Sequence, residues 1–115
     1  SGCGKKEKNT DNNKEKESNS FIIKGQTIDG LKIGNLAIVY ENEISRIVTN
    51  VTNTNDTTYE LRTIDIKLYD DKNNLLIETK GYIGTSIKPN ETKQSVTEVT
   101  KNLKSATRVE YEIDK

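Results

Sequence analysis

From Phe21 onward, apolar residues recur at every second position in short runs, and clusters of Asp, Asn, Thr, Gly and Pro separate the runs. The clearest run is Ile64-Asp65-Ile66-Lys67-Leu68-Tyr69-Asp70. Side chains in an extended chain alternate with period two, so Ile64, Ile66 and Leu68 share a buried face while Asp65, Lys67 and Tyr69 point the other way. The polar stretch Asp71-Lys72-Asn73-Asn74 follows at once, and its residues tolerate left-handed backbone angles and hydrogen-bond their own main chain. A hairpin into Leu75-Leu76-Ile77 is therefore expected.

The same pattern places strands through Leu36, Ile38 and Tyr40, from Ile44 to Thr52 (Ile47, Thr49 and Val51 on one face), and from Leu75 to Ile83. Two more follow, from Thr92 to Val99 and through Val109, Tyr111 and Ile113. Glu41-Asn42-Glu43, residues 53–58 and Ile87-Lys88-Pro89-Asn90-Glu91 read as turns or loops. Phe21-Ile22-Ile23, Ile28 and Leu31-Lys32-Ile33, broken by Gly25, Gly30 and Gly34, suggest an irregular or edge-strand entry. Gly81 and Gly84 mark a bulge or a close backbone approach. Residues 100–105 form a loop with a short helical turn at Lys101-Asn102-Leu103-Lys104. About seven short strands without a helical period predict an all-β fold, an antiparallel two-sheet, immunoglobulin-like β-sandwich.

Composition narrows this picture. A chain of 115 residues holds one core. Apolar residues are only 30% of the total and charged residues 31%, which leans toward disorder, yet the apolar ones cluster after Phe21. Residues 4–20 contain no large apolar side chain and are expected to be a disordered tether spanning roughly 20–25 Å as a flexible coil. Residues 1–20 thus form an N-terminal tether and 21–115 the sandwich. Eighteen basic and eighteen acidic residues cancel, and no basic cluster alternates with aromatics, so no nucleic-acid partner is expected. No run approaches the ~20 apolar residues that span a bilayer.

The single cysteine points to a membrane by another route. Cys3 has no internal disulfide partner and the chain has no His to join it in a metal site or nucleophile pair. Ser1-Gly2-Cys3-Gly4 followed by Lys5-Lys6-Glu7-Lys8 resembles the end of a bacterial lipoprotein signal, in which small residues precede the cysteine that is lipidated. On that expectation two or more acyl chains at Cys3 anchor the protein, because one chain gives only marginal binding. The protein would sit on the extracellular face of the cell membrane of a Gram-positive type bacterium. The other reading makes Ser1-Gly2 a cloning remnant and Cys3 a surface thiol.

Further resemblance lies in the central hairpin. Ile66-Lys67-Leu68-Tyr69-Asp70, followed by Asp71-Lys72-Asn73-Asn74-Leu75-Leu76-Ile77, resembles the signature of the FxLYD family of bacterial envelope domains. Asn50-Val51-Thr52-Asn53-Thr54 resembles the family's Val-x-Asn segment, and Ile87-Lys88-Pro89-Asn90-Glu91-Thr92 its Pro-Gly-Glu turn. The last strand, residues 106–113, is also similar, so the likeness covers about residues 44–113. Ile66 stands where the family has Phe and Asn90 where it has Gly; the first keeps an apolar core residue and the second tolerates left-handed geometry. Related telokin-like clostridial secreted domains share similar segments. The resemblance implies an immunoglobulin-like sandwich, frequent on lipoproteins, with Ile66, Leu68, Tyr69 and Asp70 as structural motif residues and no established catalytic residues.

Little chemistry is available to the chain. It lacks His, Trp and Met, so it has no ordinary general base near neutral pH. Asp70-Asp71 and Glu41-x-Glu43 are the closest carboxylate pairs, and both fall in expected turns. Asp70, Asp71, Asn73 and Asn74 offer hard oxygens to Ca²⁺ but lack the spacing and central Gly of a calcium loop, so neither metal nor cofactor is expected. The expectation is a non-enzymatic interaction module with a protein or cell-wall polymer as partner. The alternative is a small-solute or ion-binding lipoprotein serving a membrane complex, which would need an apolar pocket of several hundred Å³.

Overall fold

The computed structural model describes residues 20–114. Eleven strand segments follow in order: β1 Ser20–Ile23, β2 Gln26–Ile28, β3 Leu31–Ile33, β4 Leu36–Glu41, β5 Ile44–Asn53, β6 Tyr59–Glu60, β7 Thr63–Tyr69, β8 Leu75–Tyr82, β9 Ser86–Ile87, β10 Thr92–Val99 and β11 Arg108–Asp114. Nine of these build seven long strands, because β1 runs on into β2 and β3 into β4 through kinks. At the first kink a side chain on Gly25 would overlap the Ile33 carbonyl oxygen, so only glycine fits. The Gly25 N–H donates to Asn35 Oδ1 (2.9 Å), and at the second kink Gly34 N–H reaches across to the Asn50 carbonyl (2.8 Å).

Two-residue turns begin the fold. Ile28 pairs with Leu31 across Asp29-Gly30 (φ 53° and 77°), and Glu41 pairs with Ile44 across Asn42-Glu43 (φ 53° and 66°). Positive φ at both central residues is the type I′ geometry whose twist matches the flanking strands. The resulting meander pairs β1 with β4, β2 with β3, and both β3 and β4 with β5. Strand β10 then returns to the other side of β5, matching Val96 to Val48. The second sheet has β7 at its centre, with β8 and β11 on either side. A two-residue ladder joins β6 to β9.

All pairings are antiparallel, and the layers form an all-β, immunoglobulin-like sandwich. Counting the seven long strands, the sheets run 1-2-3-6 and 5-4-7, a chain order of its own within that architecture. The first sheet sends Leu31, Ile33, Leu36, Ile38, Ile47 and Val51 inward to meet Ile64, Ile66, Leu68, Val109 and Tyr111 of the second. Leu61, Ile83, Ile87, Leu103 and Ala106 come from the connections and close the ends. Side chains also join the sheets at both seams. Thr97 Oγ1 donates to the Lys80 carbonyl (2.9 Å) between β10 and β8, and Gln26 Nε2 to the Val109 carbonyl (3.5 Å) between β2 and β11.

Most expected elements appear where the pattern placed them, with one clear difference. Residues 101–105 hold no helical turn. Ser45, buried at the start of β5, donates its hydroxyl to the Lys101 carbonyl (2.6 Å) and accepts the Leu103 N–H (3.2 Å), which keeps this segment open and drives Leu103 into the core. Of the two alternatives expected at Gly81, the structure has the close approach: a side chain there would overlap Ser95 Oγ on β10. The irregularity in β8 lies instead opposite Leu68 and Tyr69, which pair with Ile77 and Leu75.

Candidate functional site

The central hairpin is built as its sequence pattern requires. Ile66 and Leu68 are fully buried, and Tyr69 emerges on the outer face of the second sheet. Asp70 Oδ1 accepts the N–H groups of Lys72 and Asn74 (2.9 Å each), and its Oδ2 accepts from Asn74 Nδ2 (3.2 Å). The main chain closes the same turn through Asp70 N–H to the Asn74 carbonyl (3.0 Å), with Asn73 at φ 68°. The Asn74 N–H, first among these, holds the Asp70 carboxyl below its ordinary value. Asp70 is thus a turn-forming acceptor whose two oxygens both bond its own loop. Among the described residues no three acidic, His or Cys side chains gather as a metal site.

Tyr69 packs into a polar clasp with the last strand. The Arg108 guanidinium lies 4.1 Å over the Tyr69 ring, donates through Nη1 to Glu110 Oε2 (2.7 Å), and reaches Asn73 Oδ1 through Nη2 (2.9 Å). The Tyr69 hydroxyl donates to Glu110 Oε1 (3.2 Å). The Arg108 hydrogen bond, chiefly, lowers the Glu110 carboxyl. The motif tyrosine therefore fastens hairpin to β11 and leaves no open ring face for stacking on that side.

At the opposite end sits a residue whose role the sequence pattern does not disclose. Asn53 ends β5 fully buried. Its Nδ2 donates to the carbonyls of Thr57 (2.9 Å) and Ile87 (2.8 Å), and its Oδ1 accepts the Asn55 N–H (2.9 Å) and Asn55 Nδ2 (3.0 Å). Its backbone bonds Glu91 and Asn90. One residue thereby ties two connections together, the loop after β5 and the turn before β10. The sequence signals are its place in the Val51-Thr52-Asn53 segment and an amide at an inward position of an alternating strand.

The two outer faces differ in kind. On the second sheet the register lines up Lys80, Asp65 and Glu112, then Glu78, Lys67 and Glu110, and Lys80 forms an ion pair with Asp65. On the first sheet one row crosses all four strands: Ile22 pairs with Ala37, Ala37 with Val48, and Val48 with Val96. Ile22 is 67% exposed and Val96 51%. Val39 and Ile44 extend the row into a depression of about 160 Å³, also lined by Glu41, Asn42, Arg46 and Glu98. Arg46 and Glu98 pair at 3.1 Å beside it. A larger hollow of about 350 Å³, half apolar in its lining and open to solvent, has Glu60, Leu61, Arg62, Thr85 and Ser86 for walls.

Asp71 is exposed in its turn, Glu41 points outward from β4, and Glu43 occupies the neighbouring turn, so neither carboxylate pair converges in a cleft. Cys3, the Lys5 to Lys8 run and most of the expected tether lie outside the described residues. The fold and its surfaces define an antiparallel β-sandwich whose polar groups are engaged in holding loops. No family model matches the chain, and no curated protein does. A crystal structure of a DUF1425 family member from Shewanella sp. pv-4 shares the fold, with a TM-score of 0.50 at 9% identity over 79% of this chain and 86% of that one.

Proposed function

We propose that the protein is a non-catalytic interaction module of the FxLYD type, lipid-anchored through Cys3 on the extracellular face of a bacterial cell membrane. Its binding surface is the outer face of the four-stranded sheet. The observation that supports this is the uninterrupted row Ile22, Ala37, Val48 and Val96, set against a second outer face that carries mainly charges, with Tyr82 exposed at one end. A contiguous exposed apolar patch on a small domain marks an interaction site more often than chance. Anchor and patch suit one another, because attachment at Cys3 would keep the module near the envelope while leaving the sheet free to engage a protein or wall polymer.

The test compares the two faces. Immobilised full chain is expected to retain an envelope component, a copy of itself included, and Val96→Lys is expected to lose it while Lys67→Glu on the second sheet keeps it. Equal retention by Val96→Lys would remove the patch from the proposal. Mass spectrometry of the native protein checks the anchor, which requires Cys3 to carry acyl mass at the mature N-terminus.

A further inference from the structure

The register of the first sheet carries information about what covers it. Take the row through Ala37 and Val48 as a line across the strands. Lys32 pairs with Thr52, four residues along β5 from Val48, and Glu41 pairs with Ile44, four residues the other way. Lys32 and Glu41 both sit at outward, exposed positions of the same kinked strand. The outward side chains of the four strands thus place a positive charge on one side of the row, a negative charge on the other, and the neutralised Arg46–Glu98 pair between.

We propose that this face packs against a second copy of the chain about a two-fold axis running along the row, an inference that rests on the face being the interaction surface. An isologous interface must complement itself. Rotation about that axis lays the apolar row on its own counterpart and reverses the strands, which brings Lys32 of each copy over Glu41 of the other. It also sets Arg46 and Glu98 against the levels of Asn50 and Gln94, whose amides offer an acceptor and a donor. Rotation about an axis along the strands would instead oppose Lys32 to Lys32 and Glu41 to Glu41, and like charges so placed are repelled. The charge pattern therefore selects the antiparallel stacking, in which two sheets meet face to face at roughly 10 Å.

Sedimentation equilibrium of the full chain tests this. The protein is expected to dimerise reversibly with concentration, and Val96→Lys to abolish the dimer. Lys32→Glu or Glu41→Lys alone is expected to weaken it about tenfold, while Lys32→Glu combined with Glu41→Lys restores it. The latter two positions are exposed, so these variants keep their fold, which circular dichroism confirms, whatever happens to Val96→Lys. A wild-type chain that remains monomeric to about 1 mM overturns self-association. In that case selective loss of retention by Val96→Lys would still uphold the interaction face. A dimer indifferent to the charge reversal overturns the antiparallel two-fold, and one indifferent to Val96→Lys overturns the face.

Discussion

The two ends of the sandwich solve one problem with related side chains and opposite burial. At one end Asn53 holds its loops from inside, with both amide atoms hydrogen-bonded and no surface exposed. At the other, Asp70 gathers its turn from outside, with its carboxylate in water. A buried polar group that loses its partner forfeits its desolvation energy as well as the bond, whereas an exposed one is re-solvated. The buried pin should therefore dominate stability, and the exposed one should govern only a local turn and its acid response.

The largest effect is expected from Asn53→Ala, which strands the Ile87 and Thr57 carbonyls and costs about 3 kcal/mol or more in urea unfolding. A loss under about 1 kcal/mol would break the contrast. Next comes Tyr111, where satisfaction is the variable. Its hydroxyl is buried with no well-formed hydrogen bond, only an approach of the Thr49 side chain, and burial outweighs that contact and pushes its ionisation from 10 up to about 12. Because the folded value is raised, stability is complete below pH 10 and falls as pH rises from there through about 12, by about 3 kcal/mol. Tyr111→Phe should abolish that alkaline loss and leave neutral stability equal or slightly higher.

A smaller effect is expected at Asp70. Its folded value is lowered, so its contribution is present above 3.8 and lost as pH falls through the folded value. Asp70→Ala should remove this acid dependence and raise amide exchange at Lys72 and Asn74, with little change elsewhere. Arg108→Ala should give the smallest change of all, loosening the clasp over Tyr69 without moving the urea midpoint beyond error.

How far the chain reveals its own structure follows from where each signal is local. The period-two runs at Ile64 to Leu68 and Val109 to Ile113, the Asp70 to Asn74 turn and the Pro89-Asn90 turn stand in sequence as in structure, because neighbouring residues decide them. The entry region was legible only as broken pieces, since the kinks at Gly25 and Gly34 depend on hydrogen bonds to Asn35 and Asn50. The helical turn expected at residues 101–104 failed because Ser45, more than fifty positions away, captures that loop. The apolar row was hidden altogether: Ile22, Ala37, Val48 and Val96 are unremarkable singly and become a surface only once the register is known.

The return of β10 to β5 also sets the order in which the molecule can be completed. Val96 meets Val48 and Val109 meets Leu68 across forty or more intervening residues, so both sheets gain a strand only when the last quarter of the chain arrives. Such long-range closure slows folding. A chain emerging amino end first would hold β5 and β7 each with one unpaired edge until then. Any chain stopped before Thr92 leaves one edge of β5 and one edge of β7 unpaired, and its fate is aggregation or proteolysis rather than a smaller working module.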